Sequence, residues 1–290
     1  MFTIAEYLHA KEIGASYVGK QGSPITIRNY GSALRSAENL LGKQLHDFEP
    51  IDGSALMHAA HKRGFHPATI NQMLAALQNC FKWAIGNKLY EKENPFAHIH
   101  NLPIHEKLPK ILSMDEMKCL FKYIEEHSGR KYTILFSLMG YCGLRINEAL
   151  HLQREDVTDT GILITGKGSR HAYVPVKSEL LKELKLYIAE TPNSDDRYVF
   201  VGAKGRQSDN PLSTTAAYRQ FDAAKKACGL SDEITPHSLR HSFATHALHK
   251  SKRLELVQDL LRHKDPKTTR RYAQISREEL TQEYYRIVED

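Results

Sequence analysis

A proline-containing segment separates two parts of the chain that have different hydrophobic patterns. Residues 94–113 include Pro95, Pro103 and Pro109 and show little periodicity. They indicate an extended linker, because the residue before a proline avoids the helical conformation. Apolar residues follow only a helical period before this segment, whereas a strand pattern occurs after it. The sequence of 290 residues therefore predicts two domains of different secondary structure.

Start signals predict helices on both sides of the linker. Thr3 with Glu6, and Ser113 with Glu116, have the spacing of a capping box, in which two side chains bond each other's backbone N–H groups. Amphipathic segments headed by proline begin at residues 24 and 67, and a shorter helix is expected over residues 51–63. The first domain is therefore predicted to be a small helical bundle.

The second domain shows one clear strand signal. Residues 161–176 read GILITGKGSRHAYVPV, two apolar runs around a glycine-rich turn, which predicts a hairpin with Lys167 at the shoulder of its turn. Residues 198–201 are expected to form another short strand. The predicted fold class is mainly α with a small β-sheet (α+β). The predicted boundaries are 1–104 for the helical domain, 105–112 for the linker and 113–290 for the second domain.

Composition leaves the partner open but favours a globular protein. The hydrophobic and charged fractions, 41% and 26%, are typical of a chain that buries a core. The net charge of +6 permits a polyanionic partner without requiring one. The apolar, uncharged run of thirteen residues between Lys131 and Arg145 is shorter than the roughly 20 residues that span a bilayer. No signal peptide is recognisable at the N-terminus, so a cytoplasmic location is expected.

The cysteines do not have the spacing of a metal site. They are far apart, and in a cytosolic protein such a pattern predicts reduced thiols and no disulfide. The four are Cys80, Cys119, Cys142 and Cys228.

Residues 235–272 combine proton carriers with donors that bind anions. This stretch contains His237, Arg240, His241, His263 and Tyr272. A guanidinium bonds two phosphate oxygens at once, and fixed cations stabilise the extra charge of a phosphodiester during transfer. Tyrosine, with an ordinary pKa of about 10, needs cationic neighbours or a base such as His237 to act as a nucleophile near neutral pH.

Four motifs in order give a resemblance to a known family. GLRINEAL, GKGSR, HSLRH and RHKDPKTTRRY resemble the boxes of the tyrosine recombinases, which include the phage integrases and Xer-type recombinases. The match covers residues 111–290, and the helical region with its linker is similar to the family's core-binding, DNA-binding domain. The chain begins directly with that bundle, without the additional N-terminal domain of some phage integrases, so a simple Xer-like architecture is expected.

The resemblance implies a role for each matching residue. Arg145 and Arg240 would clamp the phosphate, Lys167 would protonate the leaving 5′-hydroxyl, and His237 would exchange a proton with the nucleophile Tyr272. His263 would donate a further hydrogen bond to the phosphate. Glu148 and His241 would support the site. For Arg145, a plain salt bridge to Glu148 is the structural alternative, since they are three residues apart.

The basic run before Tyr272 is predicted to contact DNA phosphates. It consists of Arg262, Lys264, Lys267, Arg270 and Arg271. The family commonly has glycine immediately before the His263 position, where this chain has Arg262. An arginine there would either crowd the loop or add a phosphate contact.

The resemblance also implies the reaction and the partners. The family cleaves one strand of double-stranded DNA at a time at specific recombination sites, forms a 3′-phosphotyrosyl link and exchanges strands through a Holliday junction. It does so as a tetramer on DNA, and a helix from Ser276 is expected to dock on a neighbouring protomer. Neither ATP nor a metal is implied, and no membrane or small-molecule substrate is expected.

Two other functions use the same residues or fold. A type IB topoisomerase-like enzyme has the same nucleophile but relaxes DNA without a partner site. A non-catalytic DNA-binding protein would need no placed tyrosine. The His237 and His241 spacing also matches part of a zinc motif, but Ser238 stands where that motif has glutamate.

Overall fold

The computed structural model describes residues 1–17, 21–104, 109–165, 171–191, 197–202 and 210–262. Its contacts divide the chain into two compact units, Met1–Lys107 and Leu108–Asp290. Within the described ranges, no helix is long and apolar enough to cross a membrane.

The described part of the first unit contains four α-helices, as the sequence predicts. They are α1 (Ile4–Ile13), α2 (Pro24–Leu41), α3 (Asp52–Lys62) and α4 (Pro67–Gly86). The predicted capping box at Thr3 and Glu6 forms, so α1 begins where its local chemistry places it. Phe81 of α4 lies at the centre of an aromatic core, with its ring 5.8 Å from that of Phe2 and 5.0 Å from that of Tyr90.

The second unit is built around one buried helix. Within its described residues, the helices are α5 (Met114–His127), α6 (Arg130–Cys142), α7 (Ile146–Leu150), α8 (Ser178–Glu190), α9 (Thr214–Ala227), α10 (Pro236–Ser251) and α11 (Leu254–Leu261). Helix α6 packs against α5, α8 and α10. It is buried along residues 134–140 because it is apolar on nearly every side, as the sequence indicates.

The predicted hairpin supplies the two strands of the sheet. Strands β1 (Gly161–Thr165) and β2 (His171–Pro175) are antiparallel, with Ile162 opposite Val174 and Leu163 opposite Tyr173. Ile162 and Val174 face the core, whereas Tyr173 is exposed. The expectation of a mainly helical fold with a small sheet is therefore confirmed.

The prediction of a strand over residues 198–201 is wrong. Tyr198 and Val201 make only isolated bridges, to Gln153 and Pro211 respectively. The adjacent residues Val199 and Phe200 are both buried, so the segment does not alternate between two faces. Apolar burial without a continuous hydrogen-bond ladder explains the β-like sequence signal.

The prediction of four reduced cysteines is wrong for one pair. Cys119 and Cys228 form a disulfide between residues 109 positions apart, with a Cα–Cα distance of 6.1 Å. Helices α5 and α9 pack together and bring both side chains within bonding reach, which cysteine spacing alone does not reveal. Cys80 and Cys142 are free thiols, as predicted, and both are buried.

Candidate active site

A tight turn between α6 and α7 positions the first arginine of the site. Gly143 ends α6 in the left-handed conformation, with φ of 64°, and Arg145 is the N-cap residue of α7. A Cβ atom at Gly143 would lie only 2.6 Å from Phe243 Cδ1 of α10 and 3.0 Å from Leu261 Cδ2 of α11. Glycine therefore allows this turn to pack directly against both helices.

Arg145 and Glu148 form the ion pair that their spacing permits. Arg145 Nη1 lies 2.5 Å from Glu148 Oε1, and the Arg145 backbone N–H donates to Oε2 at 2.9 Å. The Glu148 side chain is 18% exposed, whereas that of Arg145 is 42% exposed. The carboxylate thus fixes one edge of the guanidinium while part of the Arg145 side chain still faces solvent.

Arg240 approaches the same carboxylate from α10. It is buried, and its guanidinium donates to the carbonyl oxygen of Gly143 and, at 2.6 Å, to that of Leu261. Its Nη1 also lies 3.7 Å from Glu148 Oε2. A buried charge requires such partners, and these hold Arg240 against the turn that carries Arg145.

Arg262 provides a third guanidinium. It follows α11, and its Nη2 donates to Glu148 Oε2 at 2.8 Å. Burial alone would raise the pKa of Glu148. The charges of Arg262 and Arg145, together with hydrogen bonds from Arg145, outweigh that effect and hold the pKa below its ordinary value. Glu148 is therefore an ionised anchor surrounded by three cations.

Comparison with known proteins identifies the family. The model described as "Phage integrase family" matches residues 110–279, and "Phage integrase, N-terminal SAM-like domain" matches residues 17–88. The chain belongs to the phage integrase family. It is a site-specific tyrosine recombinase, an enzyme that transfers DNA strands, and the type predicted from its sequence motifs is confirmed.

Relatives of the recombinase extend over nearly its whole length. "Tyrosine recombinase XerC" of Alcanivorax borkumensis is 31% identical over 90% of this chain and 87% of that protein. The XerC protein of Bacillus subtilis is 31% identical over 92% of this chain and 91% of its own length. The solved structure of XerH recombinase bound to palindromic difH substrate has a TM-score of 0.64 and 25% identity, over 91% of this chain and 78% of that one.

His237 of the recombinase lies one helical turn before Arg240. Partial burial lowers the pKa of this imidazole, and the positive charges of Arg240 and Arg145 lower it further. The neutral form is consequently favoured near neutral pH, which leaves a ring nitrogen able to accept a proton. His241, on the next turn of α10, is partly buried.

Helix α10 is anchored by a serine that its sequence does not single out. Ser242 Oγ accepts a hydrogen bond from the Leu112 backbone N–H at 2.7 Å and donates to the Ser238 carbonyl oxygen at 2.8 Å. Both bonds are buried, so they connect the start of the second unit to the helix that carries His237 and Arg240. No local sequence motif predicts this role of Ser242. By contrast, the glycine after an apolar helix could have indicated the Gly143 turn.

The structure brings together Arg145, Glu148, Arg240 and Arg262, with His237 under the influence of two of these arginines. Apart from His241, the other predicted site residues lie outside the described residues, and their roles stay predictions. They are Lys167, His263, Lys264, Lys267, Arg270, Arg271 and Tyr272. Across the described ranges, no group of three or more His, Cys, Asp and Glu residues could hold a metal ion.

Proposed function

We propose that Arg145 and Arg240 of this recombinase clamp the scissile phosphate of double-stranded DNA while Tyr272 attacks it. The observation that carries the assignment is the meeting of both arginines at Glu148, although they lie on different helices. Two guanidiniums held by protein carbonyl and carboxylate groups undergo little reorganisation when negative charge develops nearby. Such fixed donors stabilise the transition state more than the ground state.

The proposed reaction conserves the energy of the phosphodiester. The Tyr272 oxygen bonds to phosphorus as the bond to the 5′ oxygen breaks, and Lys167 supplies the proton that this leaving oxygen needs. The tyrosine proton passes to His237, and His263 donates a hydrogen bond to the phosphate. In the reverse step a 5′-hydroxyl attacks the 3′-phosphotyrosyl link and releases Tyr272, so the strand is rejoined without an external energy source.

The lowered pKa of His237 supports its part in this scheme. A histidine that is neutral near pH 7 can accept the tyrosine proton, whereas an imidazolium cannot. The arginines that lower its pKa are the same two that would bind phosphate. Binding of the negative phosphate would partly offset their charges and make His237 a stronger base when substrate is present.

The two units take different parts in the proposal. Residues 1–104 would bind DNA as the core-binding domain, and residues 113–290 would carry the catalytic site and a C-terminal helix for protomer contacts. The match of residues 17–88 to the SAM-like domain of phage integrases supports the first assignment. We propose that the protein acts as a tetramer on DNA in the cytoplasm. Glu148 and His241 would support the catalytic residues. The DNA phosphates would be contacted by Lys264, Lys267, Arg270 and Arg271.

A nicked suicide substrate tests the nucleophile. Duplexes that the protein selects from a random library would supply its site, and a nick near the cleavage position would trap the covalent intermediate. The wild type should give a protein–DNA adduct on denaturing electrophoresis, and Tyr272→Phe should give none. Tyr123→Phe, which changes a tyrosine stacked on His127 of α5, should retain the adduct.

The outcomes separate the enzyme from the residue. No adduct from the wild type on its selected site would refute the proposed reaction, and an adduct from Tyr272→Phe would refute the nucleophile. Recombination between two sites, compared with relaxation of a supercoil that has one site, distinguishes strand exchange from topoisomerase activity.

A further inference from the structure

Arg262 has a backbone conformation that normally favours glycine. Its φ is 55°, in the left-handed region, and it ends α11 as the C-cap residue. This is also the position where the sequence departs from the glycine common in the family. Because this conformation costs free energy for a residue other than glycine, we expect the arginine side chain to make contacts that offset the cost.

The Arg262 side chain is directed into the protein. It is only 11% exposed. Its Nη1 donates to the Leu260 carbonyl oxygen at 2.8 Å, and its Nη2 donates to the Gly143 carbonyl oxygen at 3.3 Å and to Glu148 Oε2 at 2.8 Å. These contacts connect the end of α11 to the turn before Arg145. They differ from the solvent-facing DNA contact that the basic run suggests.

Arg262 and Arg240 approach the same two oxygen atoms. Both guanidiniums donate to the Gly143 carbonyl oxygen, and both lie near Glu148 Oε2, Arg262 at 2.8 Å and Arg240 at 3.7 Å. The Arg145 backbone N–H and the nearer guanidinium, that of Arg262, both donate to Oε2. Without Arg262, Oε2 would be open to Arg240, and a closer pair there would draw Arg240 toward Glu148.

We propose that Arg262 is a positioning residue, which holds Glu148 and the Gly143 carbonyl so that Arg145 and Arg240 keep the separation needed to clamp a phosphate. The inference rests on the proposed function and deepens it. Arg262 acts through Glu148 and the Gly143 turn, and it does not touch the DNA.

The charges around Glu148 make this role measurable. Among the described residues, Arg145 at the start of α7, Arg240 of α10 and Arg262 after α11 face its carboxylate. His237 lies one turn from Arg240, and the Cys142 thiol, whose pKa burial raises to about 12, is close enough to Arg262 to be affected by its charge. Among the influences that favour ionised Glu148, Arg262 is the largest. Its removal should therefore raise the pKa of Glu148.

Three variants isolate the guanidinium from the backbone. Arg262→Gly removes the side chain and relieves the left-handed backbone, and Arg262→Lys keeps the charge but not the fork of donors. Lys252→Gly is the matched control, because Lys252 ends α10 with φ of 54° and is not one of the predicted site residues. Thermal melts verify that each variant is folded.

Two measurements on these variants test the proposal. Carbon-13 NMR titration of the glutamate carboxyls, assigned with Glu148→Gln, gives the pKa of Glu148 without any need for activity. Duplex affinity and single-turnover cleavage of bound DNA are then measured across pH. For Arg262→Gly we expect a raised Glu148 pKa, affinity within about twofold, and cleavage slower by about ten- to a hundredfold, with its acid limb displaced to higher pH. In Arg262→Lys the acid limb of the pH profile of cleavage should return to its wild-type position. Lys252→Gly should match the wild type in every measurement.

Other results would overturn the inference. Weaker binding with a smaller salt dependence and normal cleavage of bound DNA would make Arg262 a phosphate contact. An unchanged Glu148 pKa in Arg262→Gly would show that the guanidinium does not act on that carboxylate. If the wild type gives no covalent adduct, the proposed function fails, and the NMR titration still decides whether Arg262 controls Glu148.

Discussion

Glu148→Gln is expected to destabilise the second unit more than an equivalent change at the surface. The substitution keeps the side-chain shape but removes the charge that balances Arg145, Arg240 and Arg262. The Arg240 and Arg262 side chains are 5% and 11% exposed. Removing one member of a buried ionic group typically costs about 3–5 kcal/mol, because the remaining charges stay buried without compensation.

The magnitude should lie at the lower end of that range. Glutamine retains an oxygen that accepts hydrogen bonds, and Arg145 is 42% exposed, so solvent screens its share of the loss. We therefore expect about 3 kcal/mol, which for a unit of this size corresponds to a melting temperature lower by roughly 6–12 °C. Thermal unfolding followed by far-UV circular dichroism measures it. Trp83, the one tryptophan of the sequence, gives a separate fluorescence signal for the first unit.

Glu183→Gln is the matched control. Glu183 pairs with Arg130 at 3.0 Å, but its side chain is 55% exposed, so the same substitution there should cost less than about 1 kcal/mol. The pH dependence adds a second criterion. The pKa of Glu148 is lowered in the folded state, so its contribution is present at neutral pH and is lost as pH falls through that lowered value. The difference between wild type and Glu148→Gln should shrink in acid. Equal losses for the two variants, or a pH-independent difference, would refute the reasoning.

Two further predictions concern packing and covalent structure. Gly143→Ala should lower the melting temperature more than Gly42→Ala. Both glycines have left-handed backbone, with φ of 64° and 66°, but only at Gly143 does the added Cβ approach Phe243, whereas nothing lies within 4 Å of it at Gly42. Equal melting shifts would show that the Phe243 contact is not limiting. Reduction of the Cys119–Cys228 disulfide should cost about 2–5 kcal/mol, toward the upper end because the bond joins residues 109 positions apart and restricts a long loop of the unfolded chain. Dithiothreitol should not change the melting temperature of Cys119→Ser. A wild-type melting temperature that is equally insensitive to dithiothreitol would contradict the prediction.

The helix starts could be predicted because the interactions that define them are local. The capping boxes at Thr3 and Ser113 each join residues three positions apart, so both partners can be recognised within a short stretch of sequence. The hairpin was predictable for the same reason, since its two strands are adjacent in sequence. The motif order also singled out Arg145 and Arg240, which meet at Glu148, although the family resemblance and not the spacing supplied their proposed roles.

The contacts that organise the site could not be predicted from local pattern. The bond from Arg262 to Glu148 joins residues 114 positions apart, and the disulfide joins residues 109 positions apart. Packing of whole helices decides such pairs. The basic run around Arg262 suggested a solvent-facing surface, yet the left-handed end of α11 turns this side chain toward Glu148. Charge in a sequence window does not report which way each side chain points.

The Arg145–Glu148 pair shows why a structural salt bridge and a phosphate clamp are compatible. A guanidinium has five N–H donors in one plane, and Glu148 Oε1 is bonded by one terminal nitrogen of Arg145. The partly exposed remainder of the side chain can still bind an anion, and the carboxylate has already restricted its rotation. Less entropy is therefore lost when the phosphate binds. The ion pair that is the structural alternative to the proposed catalytic role is, on this reasoning, the feature that orients Arg145 for that role.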